Sequence, residues 1–313
     1  MEIGILLPTR EAVMSGRFDA GPMLEFAERA EAAGFASIWV GDSLLARPRF
    51  EPLTLLAAVA ACTRKARLGT AVLLAALRHP LLLAHQVATL DRIAEGRLIL
   101  GVGIGFKSAA TRNEFEAVGA PFDKRAGRLR ELVHLCRSLW RDDAVSAKGR
   151  YWSLENVRLL PTPHRQGGPP IWVGGSGETS LRLAAELGDG WFPISPTPEA
   201  FCAGWRRIQD AARDASRATS ITPALYTTVS LDEDPRAAET ALRQFIEAYY
   251  GLPFETIAAM QGCYAGTGED CAEWLRGFAK AGVEHIVLRF AGRDQISQLE
   301  RAAQGLLPRV ATT

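Results

Sequence analysis

The stretch Leu68-Gly-Thr-Ala-Val-Leu-Leu-Ala-Ala-Leu-Arg-His-Pro80, followed by a helix and then Gly96-Arg-Leu-Ile-Leu-Gly-Val-Gly-Ile-Gly105, decides the fold. It reads as strand, crossover helix, strand. Both strands are apolar on both faces, the pattern of strands buried in a parallel sheet. Both end in small residues. In a (β/α)8 barrel those ends form the active-site face, and small residues there leave room for a broad, flat ligand.

The same alternation extends in both directions. Upstream, Ile3 to Leu7 reads as a strand, Gly21 to Gly34 as a helix with Pro22 in its first turn, Ser37 to Val40 as a strand and Pro52 to Cys62 as an apolar helix. The third strand is expected over Arg67 to Leu74, its helix over Leu81 to Ala94 and the fourth strand over Arg97 to Val102. A long loop precedes a helix from about Lys124 to Trp140. The turn-rich segment 141–170 reads as an insertion with a short hairpin. Ile171 to Gly174, Gly190 to Phe192, Thr222 to Leu231 and Glu284 to Phe290 complete the strands. Their helices are expected over Glu178 to Leu187, Pro198 to Ser216, Pro235 to Tyr250 and Glu269 to Ala281, with an irregular insertion at 251–266 and a terminal helix from Leu299 to Leu307. Strict alternation implies a parallel sheet with right-handed crossovers. The expected fold is therefore an α/β, TIM-type (β/α)8 barrel with insertions after the fourth and seventh strands. It forms a single domain over 1–313, and a doubly wound open sheet is the rival.

Composition narrows the partners. The 36 basic and 35 acidic side chains leave a net charge of +1, so nothing favours nucleic acid or an anionic membrane. Cys62, Cys136, Cys202, Cys263 and Cys271 are widely spaced without a C-x-x-C pair, which fits reduced thiols in a cytoplasmic protein. No clustered ligands point to a metal. The first residues read as a strand rather than a signal peptide, and the longest apolar run stops short of a membrane span. The apolar helices at Pro52 to Cys62 and Leu81 to Ala94 suit either packing on the barrel or pairing into a homodimer.

Candidate chemistry lies in the loops that follow the strands. Asp42 and Ser43 follow the second strand; Asp42 either caps a turn or serves the site. Arg78 and His79 follow the third. Arg78 reads as an anion contact or a solvated charge, and His79 as a proton carrier, a ligand contact or a structural residue at a helix entry. Gly101-Val-Gly-Ile-Gly105 lets a ring or tail approach the backbone. Val173-Gly-Gly-Ser-Gly-Glu-Thr179 opens a helix, and its free amides suit a phosphate. Capping of that helix by Ser176 is the alternative. No nucleophile–base pair, H-E-x-x-H or Walker loop is present, so a cofactor is expected to carry the reaction.

Several motifs occur in order at consistent spacing: Ala33-Gly-Phe-Ala-Ser-Ile-Trp-Val-Gly-Asp42, Leu68-Gly-Thr-Ala-Val72, Arg78-His-Pro80 and Thr89-Leu-Asp-Arg92. Gly96-Arg-Leu-Ile-Leu-Gly-Val-Gly103, Glu114-Phe-Glu-Ala-Val-Gly-Ala-Pro-Phe122, Arg158-Leu-Leu-Pro161, Pro169-Pro-Ile-Trp-Val-Gly-Gly-Ser176 and Leu187-Gly-Asp-Gly-Trp191 follow. Together they resemble the bacterial luciferase-like flavin-dependent oxidoreductases. The resemblance implies a TIM-like barrel with FMN or the deazaflavin coenzyme F420 across its C-terminal face. It implies a non-proline cis peptide at Ala71–Val72 behind the ring, Gly103 near the ring or ribityl chain, and Gly174, Gly175, Ser176 and Gly177 around the phosphate. Relative to the sugar-phosphate dehydrogenase branch of the family, Ser43 replaces a His and Phe106 replaces a Glu, so that branch's acid and base are missing.

The leading expectation is a luciferase-like monooxygenase acting on a small organic substrate. It would use reduced FMN from a separate flavin reductase, with oxygen as the co-reactant. The alternative is F420-dependent hydride transfer, with Asp42 as first candidate for a ring or substrate hydrogen bond and Ser43 and His79 next. A non-catalytic flavin-binding protein is a further alternative. A flavin-free isomerase or aldolase would need a Lys at a strand end, and only Lys107 comes near.

Overall fold

Strand ends, more than strand interiors, decide where this chain places its ligand-binding surface. The computed structural model describes residues 1–214 and 220–310. The chain opens with β1 (Glu2–Leu6), the short helix α1 (Thr9–Met14), α2 (Gly21–Ala32) and β2 (Ser37–Val40). Next come α3 (Pro52–Cys62), β3 (Arg67–Thr70), α4 (Pro80–Ile93) and β4 (Leu98–Val102). Helices α5 (Ala109–Ala117) and α6 (Arg125–Arg141) lead to β5 (Val145–Lys148) and β6 (Ser153–Val157). Then follow β7 (Ile171–Gly174), α7 (Glu178–Leu187), β8 (Gly190–Phe192), α8 (Pro198–Asp214) and β9 (Thr222–Leu231). The remaining elements are α9 (Pro235–Tyr250), α10 (Phe254–Ala258), β10 (Cys263–Gly266), α11 (Gly268–Lys280), β11 (His285–Phe290), α12 (Gln295–Arg301) and α13 (Leu307–Val310).

Around the barrel the parallel order is β11-β1-β2-β3-β4-β7-β8-β9, and β9 closes the ring by pairing with both β8 and β11. The open-sheet rival is thereby excluded. Inside the ring, Trp39 lies against Trp172 and Phe192, with ring centroids 5.3 and 5.0 Å away. Leu6, Ile99, Ala224 and Val287 fill the rest of this interior layer. The strand glycines make that layer possible. A Cβ at Gly69 would stand 2.3 Å from the Trp39 ring, and one at Gly190 would stand 2.4 Å from Trp172. A larger core lies between the barrel and its helices, which bury Leu56, Val59, Leu83, Val87, Phe201 and Phe278.

Four expectations from sequence require correction. The third strand stops at Thr70 rather than Leu74, because the chain turns at the cis Ala71–Val72 peptide. Leu73 then bridges to Val102 alone. The loop after β4 contains α5, started by the Ser108 hydroxyl accepting from the Thr111 amide and held by buried Phe115. The irregular stretch at 251–266 contains α10 and β10, and β10 pairs with the last residues of β9. Ten-residue β9 is long enough to close the ring with one half and take an extra neighbour with the other. The terminal helix begins at Gln295, capped by Asp294, and passes through a π-turn at Ala302–Leu306. The hairpin expected within 141–170 is the antiparallel β5–β6 pair. Residues 215–216 of the helix expected to reach Ser216 lie outside the described residues. Among those described, no helix is long and apolar enough to cross a membrane, and no group of side chains could hold a metal.

Candidate active site

A cavity of about 720 Å³ opens at the C-terminal ends of the barrel strands. Asp42, Ser43, Ala71, Val72, Gly103, Gly174, Gly175, Ser176 and Gly177 all line it. His79 is not among the lining residues. It is exposed at the N-cap of α4, where Nδ1 accepts from the Leu81 amide at 3.3 Å. The proton-carrier expectation for His79 is corrected accordingly: its preference for an extended backbone before Pro80 places it at a helix entry.

The other two catalytic candidates line the cavity with their polar atoms hydrogen-bonded to protein groups. Asp42 is nearly buried; its Oδ2 accepts from the Leu74 amide at 2.9 Å and from Arg78 Nη1 at 2.7 Å. Arg78 also reaches Glu51 at 3.2 Å, so this arginine is neither a solvated charge nor a free anion contact. Ser43 Oγ donates to Glu114 Oε2 at 3.2 Å and accepts from the Arg47 amide at 2.8 Å. Glu114, fully buried on α5, also accepts from the amides of Leu44 and Ala46. A buried carboxylate with several donors is a clamp, and here it fixes the 43–46 loop on the rim of the cavity.

The floor is built from Val72 and glycines. A Cβ at Gly103 would lie 2.6 Å from Val72 Cγ2, and one at Gly174 would lie 2.9 Å from Val72 Cγ1. These two glycines make room for Val72, whereas the sequence reading assigned that room to a ligand. Gly175 has φ +108, and a Cβ there would lie 2.6 Å from Ser180 Oγ. Gly177 is the N-cap of α7, with open space around its Cα, and no side chain caps the helix. Ser176 is exposed beside it and does not cap. The first-turn amides of α7 are thus left for a ligand, as an anion site at a helix N-terminus requires. A flat apolar floor with a backbone cradle at its edge fits a flavin or deazaflavin carrying a phosphate.

The side of the cavity across the ring holds groups that sequence reading missed. Arg289, near the end of β11, is buried between Tyr226, Tyr249 and Tyr250. Its Nε and Nη2 donate to Thr228 Oγ1 at 3.1 and 2.8 Å. Arg49 Nη2 donates to the Tyr249 hydroxyl at 3.2 Å. Burial pushes the Tyr226 phenol well above its ordinary range and raises the Glu11 carboxyl. An Arg inside an apolar strand was a visible irregularity, but nothing in the sequence said that it faced the barrel mouth.

The sequence model of the luciferase-like monooxygenase family matches residues 1–285, and the chain belongs to that family. It is an oxidoreductase with the family's barrel. It is 26% identical over 327 residues to the F420-dependent glucose-6-phosphate dehydrogenase of Amycolatopsis mediterranei (strain U-32), covering 94% of this chain and 96% of that one. Among solved structures it is similar to an F420-dependent secondary alcohol dehydrogenase in complex with an F420-acetone adduct. That match has a TM-score of 0.84 at 23% identity and covers 99% of this chain and 98% of the other. It is also similar to the monooxygenase RslO1 from Streptomyces bottropensis, with a TM-score of 0.82 at 25% identity over 98% and 99% of the two chains. The F420-dependent dehydrogenase relative favours the F420 alternative over the oxygen-dependent reading that led the sequence analysis.

Proposed function

We propose that this protein is a coenzyme F420-dependent oxidoreductase that moves hydride between the deazaflavin and a small organic substrate. The observation that carries the reading is the end-to-end similarity to an F420-dependent dehydrogenase, over 94% of this chain. The site is compatible with it. The α7 amides and the 174–177 backbone would hold the cofactor phosphate, and Val72 with Ala71 would support the ring. When bound, the deazaflavin supplies or accepts the hydride. The chain's own task is then to orient the ring against the substrate and to exclude water, with Leu74, Ile104, Phe192 and Ile194 as apolar walls.

Ser43 stands where the sugar-phosphate dehydrogenase branch has its His, and its hydroxyl is occupied by Glu114 and Arg47. Oxidation of glucose 6-phosphate by that branch's acid and base is therefore not part of the proposal. The similarity to a monooxygenase keeps the FMN reading as the competing outcome of one experiment. Purified protein is titrated by fluorescence with F420, with FMN, and with reduced FMN under nitrogen. Micromolar or tighter binding of F420, with FMN at least ~10-fold weaker, is expected. Tight FMN binding with weak F420 binding would replace the proposal with the oxygen-dependent reaction.

A further inference from the structure

Arg289 is a cation buried at 1% exposure with no carboxylate in ion-pair range among the described residues. Burying a charge without a partner is costly. Three of its surroundings offset part of that cost. The guanidinium carbon lies 4.1 Å from the Tyr249 ring centroid, 5.2 Å from Tyr250 and 5.7 Å from Tyr226, distances at which ring faces attract a cation. Thr228 Oγ1 takes two of its nitrogens. The third, Nη1, is buried without a hydrogen-bond partner. The Tyr250 hydroxyl donates to Gln261 Oε1 at 2.9 Å and turns its oxygen toward the same guanidinium, outside hydrogen-bond geometry to Nη1.

The charge around this corner is unbalanced. Arg10 and Arg49 stand with Arg289, and Arg47 lies over the Tyr250 ring. Glu11 is the facing acid, and its Oε1 is also buried without a partner. Asp42 and Glu114, the acids that line the cavity, are held by Arg78 and by the 43–46 loop. In the ring order β11 lies opposite β4 and three staves from β7. A ligand charge that reaches Arg289 is therefore not the phosphate held at the start of α7.

We propose that the Arg289–Tyr226–Tyr249–Tyr250 corner is the substrate-recognition site and that Arg289 Nη1 receives an anionic oxygen of the substrate, a carboxylate or a phosphoryl group. This names the substrate class of the proposed reaction and rests on that reading for the word substrate. The tyrosine faces would enclose the adjoining apolar or planar part of the molecule. Arg289 is thereby a specificity-determining residue.

The test is calorimetric titration of the protein saturated with F420, so that the cradle is filled. The probes are benzoate, phenyl phosphate and uncharged benzamide. Benzoate or phenyl phosphate is expected to bind at least ~10-fold tighter than benzamide, and the better of the two identifies the acid group. In Arg289→Gln that preference is expected to vanish while the F420 dissociation constant stays within ~2-fold, which also shows that the variant is folded. Equal binding of all three probes to the unaltered protein overturns the proposal without any variant. So does a charge preference that survives in Arg289→Gln. Failure of the protein to bind F420 would instead overturn the cofactor reading, and repeating the titration with FMN in the cradle would still test Arg289.

Discussion

At Asp42 two roles compete: a free carboxylate that serves a ring or substrate, and a structural one. The carboxylate is nearly buried and shared between Arg78 and the Leu74 amide, so removing its charge leaves a partly buried guanidinium with only the more exposed Glu51 as an acid partner. Asp42→Asn is expected to lower stability by about 2 kcal/mol in urea unfolding. Full stability combined with lost turnover would return Asp42 to the chemistry. The sequence showed Asp42, Ser43 and His79 at strand ends and could go no further. Whether each side chain points at the cavity or at a neighbour depends on Arg78, on Glu114 seventy-one positions from Ser43, and on the α4 cap. Arg289 is the converse case, a site residue concealed inside an apolar strand.

At the scale of elements, the β7–α7 turn was legible because its glycines, its following helix and its apolar strand are all local. The physical reason for each glycine was not. Gly175 combines a positive φ with a Cβ direction blocked by Ser180, whereas Gly177 faces open space. Gly175→Ala is expected to cost about 1–3 kcal/mol and to weaken cofactor binding by distorting the turn. Gly177→Ala is expected to cost under about 1 kcal/mol. Thermal melts with and without cofactor separate the two, and equal effects would discard the cradle geometry. The motif around Thr89-Leu-Asp-Arg92 proves to be a latch. Asp91 accepts from the Arg165 amide at 2.9 Å, and Arg92 donates to Thr162, tying α4 to the segment before β7. The elements missed, α1, α5, α10 and β10, are short, and β10 owes its existence to the overhanging end of β9.

Across the whole molecule, the two ends of the barrel differ in electrostatic character. At the N-terminal end His285 is buried, with Nε2 2.8 Å from Ser37 Oγ and Nδ1 between Arg67 Nη2 at 3.1 Å and the half-exposed Glu2 Oε2 at 3.0 Å; desolvation outweighs that carboxylate. Burial, with the Arg67 charge added, depresses its imidazole from 6.5 to about 3. The unfolded chain therefore takes up this proton as pH falls below about 6.5, while the folded chain refuses it until about pH 3. Stability is lost on acidification across that window. Between about pH 6.5 and pH 5 the expected loss from this residue is about 1.6 kcal/mol. Urea unfolding of the unaltered protein and of His285→Gln at both pH values should differ in slope by that amount; parallel slopes would show that the histidine titrates normally. The sequence by itself determined the alternation of apolar strands and amphipathic helices, the small residues at strand ends and the glycine-opened helix. Those signals are local, and together they define an alternating α/β chain with a parallel sheet and a glycine-opened helix at one strand end. Only the tertiary structure decided that the ring closes through β9, that Asp42, Ser43 and His79 are hydrogen-bonded to other protein groups, and that Arg289 with three tyrosines lines the same cavity as the β7–α7 turn. Closure and side-chain partnership are set by contacts between residues far apart in the chain, and no local pattern records them.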